Sequence, residues 1–160
     1  MKGRLLHILF IIFLILFQES FSQIFSFAGL VPNLAVCYII SLIYFQKMPA
    51  KNEYLFLTYC ICAILIDWIT STHVPFKSIY LIAIYLIAYW IYSSVNKTFI
   101  SYLITSFLAL WGYFVYNNLV ISFFEKISTP NPMLGGIFAL LCLPFILIFY
   151  YVFSFIQKDF

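Results

Sequence analysis

Charge is the scarcest commodity in this sequence. Only 8% of its 160 residues are charged, as 8 Lys/Arg and 5 Asp/Glu, against 66% hydrophobic and 22% aromatic. Soluble domains carry about 25% charged residues, and a globule of this mass would expose roughly 8,000 Å² to water. So few charges cannot wet such a surface, which excludes a soluble fold. The mean hydropathy of +1.09 points the same way, toward lipid. The net charge of +3 is small and dispersed, and gives no reason to expect nucleic acid.

Reactive groups are almost as rare. Gly3, Gly29, Gly112, Gly135 and Gly136 are the only glycines. No phosphate-cradling loop is present, nor a Gly-x-Ser-x-Gly turn to present a serine nucleophile. The cysteines Cys37, Cys60, Cys62 and Cys142 all sit inside apolar runs. Cys60 and Cys62 are two apart, not three, and match neither a redox nor a zinc motif. All four read as small buried hydrophobes. Asp67 is the only acid well inside a hydrophobic run, so paired-carboxylate chemistry lacks a second member. His7 and His73 fall in opposite leaflets on the topology derived below and cannot share a metal. Neither an enzyme nor a cofactor or metal site is expected.

What the sequence does contain is apolar runs. One bilayer crossing takes about 20 residues, so the length allows some five to seven spans and leaves no room for an aqueous domain. The runs, separated by short polar turns, predict an all-α, polytopic membrane protein with six transmembrane helices in one compact bundle. The expected helices cover about 5–22, 33–46, 54–69, 78–93, 99–123 and 133–156 of a single domain, 1–160.

The first segment has a second reading. Lys2 and Arg4 precede an apolar stretch from Leu5 to Phe17, which is short for a span and typical of a signal-peptide core. Ser20-Phe21-Ser22 imitates a cleavage site. An uncleaved helix is the preferred expectation, because it fits the distribution of basic residues. With the N-terminus in the cytoplasm, Lys2, Arg4, Lys47, Lys51, Lys97 and Lys158 lie inside, and only Lys77 and Lys126 outside. Both termini are then cytoplasmic.

Several positions ask for a structural role. Pro32 sits where a first helical turn tolerates proline, and Asn33 reads as a helix-start residue. Ser101, Thr105, Ala109 and Gly112 form a small-residue stripe that lets another backbone approach closely. Tyr85, Tyr89 and Tyr92 share one face of the fourth helix. Pro144, mid-span in the last helix, is expected to kink it and free a backbone carbonyl for a neighbour. The abundance of Phe and Tyr is attributed to drift in an AT-rich genome rather than to a functional lining. Asp67 is costly at mid-helix, by roughly 2.5–3.5 kcal/mol on insertion scales. Either it anchors the third helix and the following loop or a partner's helix, or it is an interfacial cap of the Trp68–Thr72 turn, paired with Lys77 or a hydroxyl. Asn117 and Asn118 carry the same ambiguity, with snorkelling to the interface as the simpler account.

Taken in order, some of these segments form a pattern. It begins with a basic start and a first helix closed by Gln18, then Phe27-Ala28-Gly29-Leu30-Val31-Pro32-Asn33-Leu34 opening the second. Ile64-Leu65-Ile66-Asp67-Trp68-Ile69-Thr70-Ser71 ends the third, Tyr80 to Tyr89 runs through the fourth, and Leu143-Pro144-Phe145 lies in the last. Over essentially the whole chain this resembles MreD, the small integral-membrane member of the bacterial rod-shape (elongation) machinery. The chain departs from the family at the third helix. Cys60, Cys62 and Ala63 stand there in place of glycines, Val74-Pro75 occupies the loop, and Trp68 replaces an aliphatic residue.

The resemblance implies a non-enzymatic scaffold of the cytoplasmic membrane. Its partners would be an MreC-like periplasmic protein, an MreB-like actin homologue, and wall synthases of the RodA and penicillin-binding type. Asp67, Pro32, Asn33, Ser71, Pro144 and Gly112 become the candidates for partner docking or structural support. The family's fold is similar to the six-helix substrate-binding (S) components of energy-coupling-factor vitamin transporters, which supplies an alternative function. A generic membrane assembly factor is the third.

Overall fold

A computed structural model gives the chain an all-helical fold. It describes residues 2–25, 30–45, 53–70, 76–94, 98–125 and 131–158, some of them, mostly near helix ends, by backbone alone. Six helices follow in order: α1 (Lys2–Phe25), α2 (Leu34–Phe45), α3 (Glu53–Thr70), α4 (Phe76–Ser94), α5 (Phe99–Glu125) and α6 (Pro132–Lys158).

Local chemistry starts three of these helices. Asn33 caps α2: its side-chain oxygen accepts the Val36 amide at 3.0 Å, and its carbonyl accepts that of Cys37 at 3.0 Å. Such caps satisfy amides that have no partner within the helix. Thr98 and Ser101 cap α5 reciprocally, each side chain accepting the other's backbone N–H, at 3.0 and 3.2 Å. Asn131 accepts the Met133 and Leu134 amides, and Pro132 follows in the first helical position, where its missing N–H costs nothing. Pro32 does not take that position in α2. The helix begins at Leu34, so Pro32 lies ahead of the Asn33 cap and is itself buried.

α2 is the centre of the molecule. It packs against each of the other five helices, and every residue from Leu34 to Tyr44 is buried. This explains its composition: Leu-Ala-Val-Cys-Tyr-Ile-Ile-Ser-Leu-Ile-Tyr-Phe has no polar face because no side of the helix meets solvent. Its 12 residues extend only about 18 Å at the α-helical rise. The expectation of six full spans is therefore met only in part. Two helices are long and apolar enough to cross a membrane, over Phe99–Phe123 and Pro132–Phe155. Shorter apolar stretches occupy Ile8–Gln18, Leu34–Tyr44, Tyr59–Trp68 and Ser78–Ile87.

The core is largely apolar, as in a water-soluble fold, but the outer surface is apolar as well. Trp68, Trp90 and Phe123 are 78%, 71% and 81% exposed, and Ile100, Tyr151 and Phe155 likewise face outward. Asp67, Ser41, Ser78 and Ser106 lie inside. Soluble monomers rarely expose broad apolar patches.

α6 runs as one helix through Pro144, whose ring lies on the exposed face. Proline has no N–H, so the carbonyl of Leu140 has no donor four residues on. The α6 carbonyl that does receive a neighbour's hydroxyl is that of Ile146, two residues past the proline.

Candidate functional site

The expected site residues divide between one end of the bundle and its outer face. Asp67, near the end of α3, is fully buried. Its Oδ2 accepts the backbone N–H of Ser78 at 2.8 Å. Ser78 is the third residue of α4, so its amide belongs to the first turn, where no intrahelical acceptor exists. A carboxylate there also meets the positive end of the α4 dipole. This hydrogen bond ties the end of α3 to the first turn of α4. The next residue, Trp68, points the opposite way and is largely exposed.

Other helices converge on the same end. Asn33, capping α2, lies beside the hydroxyl of Tyr113 on α5, and the Asp67 carboxylate is within electrostatic reach of Tyr113 and Tyr116. Tyr80 of α4 stacks on Tyr116 with ring centroids 5.1 Å apart and lies 6.1 Å from Tyr113. From α1, Gln18 Oε1 accepts the Leu34 amide at 2.8 Å, satisfying another first-turn donor of α2. Five helices thus meet around one polar knot. Non-helical backbone enters it at Leu30–Asn33, with Pro32 buried and its neighbours half-buried. Irregular backbone within an apolar layer is tolerated where protein covers it.

At Gly112 of α5 a side chain, not the backbone expected of the small-residue stripe, makes the close approach. The Tyr80 phenol lies across it, donating to the Ala109 carbonyl at 3.2 Å. A methyl group at residue 112 would land on that hydroxyl. At Gly135 of α6 a methyl would press on the rings of Trp111 and Phe114 in the same way. The other stripe members, Ser101 and Thr105, turn their hydroxyls back onto α5 or its cap.

The opposite end is held by hydroxyls that the sequence reading did not single out. Tyr102 donates to the Ile146 carbonyl at 2.9 Å and lies 2.8 Å from the Ser41 hydroxyl, which in turn bonds the Cys37 carbonyl. α2, α5 and α6 are joined at that point. Tyr44 donates to the Thr98 carbonyl at 3.0 Å. The rings of Tyr44, Tyr102 and Tyr150 cluster there, with centroids 4.7 to 6.3 Å apart. Tyr59 donates to the Leu81 carbonyl at 2.7 Å and packs on Tyr85, tying α3 to α4. Tyr44, Tyr59 and Tyr102 each set the hydroxyl on a carbonyl of another segment. The legible signal was Ser41, the one serine in an otherwise apolar, short helix.

The remaining expectations fall as follows. Pro144 is exposed on α6, away from the knot. Asn118 donates back to the Phe114 carbonyl of its own helix at 2.8 Å, and Asn117 is half-buried. Cys37, Cys62 and Cys142 are buried free thiols, and Cys60 is half-buried. Ser71, His73, Lys47, Lys51, Lys97 and Lys126 lie outside the described residues, as do the side chains of Lys2, Arg4, His7, Lys77, Tyr89, Tyr92 and Lys158. Among the described residues no three His, Cys, Asp or Glu side chains gather as they would around a metal ion. No protein-family model, curated protein or solved structure matches the chain.

Proposed function

We propose that this chain is a multi-pass scaffold of the bacterial cytoplasmic membrane, serving the cell-elongation machinery in the manner of MreD. It is not an enzyme. It docks an MreC-like protein and wall synthases, and so controls cell shape and lateral peptidoglycan synthesis. Both termini lie in the cytoplasm and α1 stays attached.

The observation that carries this reading is how the interior polar groups are used. Asp67, Asn33, Gln18 and the hydroxyls of Tyr59, Tyr80 and Tyr102 each bond to backbone of another helix or cap one. Groups engaged in this way hold helices in register and make a stiff body with an apolar exterior. In lipid, polar contacts and close packing replace the hydrophobic effect as the source of helix association. A scaffold needs that stiffness together with exposed faces for neighbouring helices. The motif order from Gln18 through Pro144 supports the MreD assignment. The packing of Ile11, Leu14 and Ile15 into the core supports a retained first helix.

Depletion of the protein in its host tests the reading. Elongated cells are expected to round or swell, and lateral wall synthesis to disperse. Normal shape with loss of uptake of a vitamin would replace the scaffold by the S-component reading.

A further inference from the structure

The outward faces of α3 and α4 form a band of defined width. On α3 the exposed large apolar side chains run from Leu57 to Trp68, and on α4 from Ile79 to Trp90. Each run rises only about 17 Å along its helix. The two helices are antiparallel. Asp67 takes the Ser78 amide at one end, and Tyr59 donates to the Leu81 carbonyl and packs on Tyr85 further along. Trp68 and Trp90 therefore stand at opposite edges of one band.

The edges have the chemistry of a membrane interface. An indole combines an apolar body with an N–H donor and favours the headgroup level. Past each tryptophan the sequence turns polar, with Thr70-Ser71-Thr72-His73 after Trp68 and Ser93-Ser94 after Trp90. Charges stand ahead of each band, Glu53 at the start of α3 and Lys77 two residues before Ile79. Even from Glu53 to Asp67, α3 rises only about 21 Å. A similar width recurs at the centre of the bundle. The Asn33 cap and the Gln18 contact mark one polar layer, and the Tyr44–Thr98 bond marks another. From Asn33 to Tyr44 the chain of α2 rises about 17 Å.

An ordinary hydrocarbon core is about 30 Å thick, and any tilt of these helices shortens their reach further. α5 and α6, with 27 residues each, are not limited in this way, so the shortfall belongs to the α3–α4 side. Sinking this band into a full-width bilayer would draw Glu53 or Lys77 toward hydrocarbon, which is costly. Thinning the lipid beside a short face carries only a modest cost. Pairing with a second copy would cover two indoles that a lipid interface accommodates at both levels.

We propose that the α3–α4 face holds the bilayer beside it to a hydrocarbon width of about 17–21 Å, and so selects phospholipids with short acyl chains. The proposal rests on the membrane-spanning reading above and adds to it the class of lipid that this side recruits.

The test uses the full chain reconstituted in phosphatidylcholine vesicles. The chain has three tryptophans, and Trp111→Phe leaves only Trp68 and Trp90 to emit. Phosphatidylcholines brominated on the acyl chain quench an indole that they touch. A fourteen-carbon lipid is expected to displace a brominated eighteen-carbon lipid from these indoles about threefold more effectively than a twenty-two-carbon lipid does. The parent chain gives the same competition and guards against a folding defect in Trp111→Phe. In eighteen-carbon bilayers, bromines near the headgroup are expected to quench each indole more strongly than bromines at the chain end, read singly after adding Trp90→Phe or Trp68→Phe. Equal displacement by short and long lipids would overturn the proposal. So would an indole quenched best from the chain end, since that edge would lie deep in an unthinned bilayer. Self-crosslinking that rises with chain length while quenching falls would put a second copy on this face, and overturns it as well. If no brominated lipid quenches the parent chain, the membrane reading itself fails. Quenching without a chain-length preference refutes only the thinning.

Discussion

Replacing Asp67 measures what the polar knot contributes. The carboxylate is fully buried and takes the Ser78 amide at 2.8 Å. That amide lies in the first turn of α4, and Asp67→Ala takes this acceptor away. An unsatisfied buried donor costs about 1–3 kcal/mol, and the space vacated by the carboxyl group adds a cavity penalty of about 24 cal/mol per Å³. The sum is about 2–4 kcal/mol. Asp67→Asn keeps an oxygen of similar shape and loses only the extra strength that charge gives the bond. That difference is about 1 kcal/mol, since hydrogen bonds to charged groups contribute about 1.5–3 kcal/mol against about 0.5–1.5 for neutral ones. Reversible unfolding of the purified chain in mild detergent micelles, titrated with a denaturing detergent, gives both numbers on one scale. The order expected is parent, then Asn, then Ala. An Ala variant within about 0.5 kcal/mol of the parent would mean that the amide finds water and that Asp67 holds nothing. An Asn variant no better than Ala would mean that the charge, not the hydrogen bond, is what matters.

Three further outcomes follow from the same contacts. Gly112→Ala is expected to cost about 1–3 kcal/mol by overpacking. Tyr80→Phe, which removes the hydroxyl that the new methyl meets, should recover part of it; strictly additive losses in the double variant would refute the contact. Tyr102→Phe removes the bond to the Ile146 carbonyl and the contact with Ser41, at about 0.6–1.7 kcal/mol in a lipid environment, and the same unfolding titration reads it. Gln18→Leu leaves the Leu34 amide without its acceptor and is expected to cost about 1–3 kcal/mol; removal of residues 1–22 should leave a chain that no longer resists protease. A truncated chain as resistant as the parent would mean that α1 is not part of the bundle.

How much of this was legible in the sequence depends on the kind of contact. The six helices follow from runs of apolar residues broken by polar turns, a one-dimensional pattern. The Asn33 cap is legible for the same reason, since it acts on amides three and four residues away. The central place of α2 was not. Residues 33–46 read as a span by hydropathy, and only the surrounding helices reveal that an apolar segment is apolar because it is central. Asp67 was visible as an anomaly, but its partner is the backbone of Ser78, and a backbone amide leaves no mark in a sequence. The tyrosines were hidden more deeply. Tyr59, Tyr80 and Tyr102 differ from Phe by one oxygen each, and every one of those oxygens finds a carbonyl on another helix, a contact between residues 22 to 44 positions apart.

The position of α2 also bears on how the protein is made. It is the second helix to leave the ribosome, yet α5 and α6, which cover much of it, emerge later. Roughly 110 residues separate Phe45 from Lys158, and synthesis at about 5–20 residues per second takes some 6–20 s to cover them. Thr98 and Tyr102, the partners of Tyr44 and Ser41, follow Phe45 by roughly 55 residues, so those bonds wait for about 3–11 s of it. The nascent chain therefore carries its hub uncovered until the later helices arrive to pack on it.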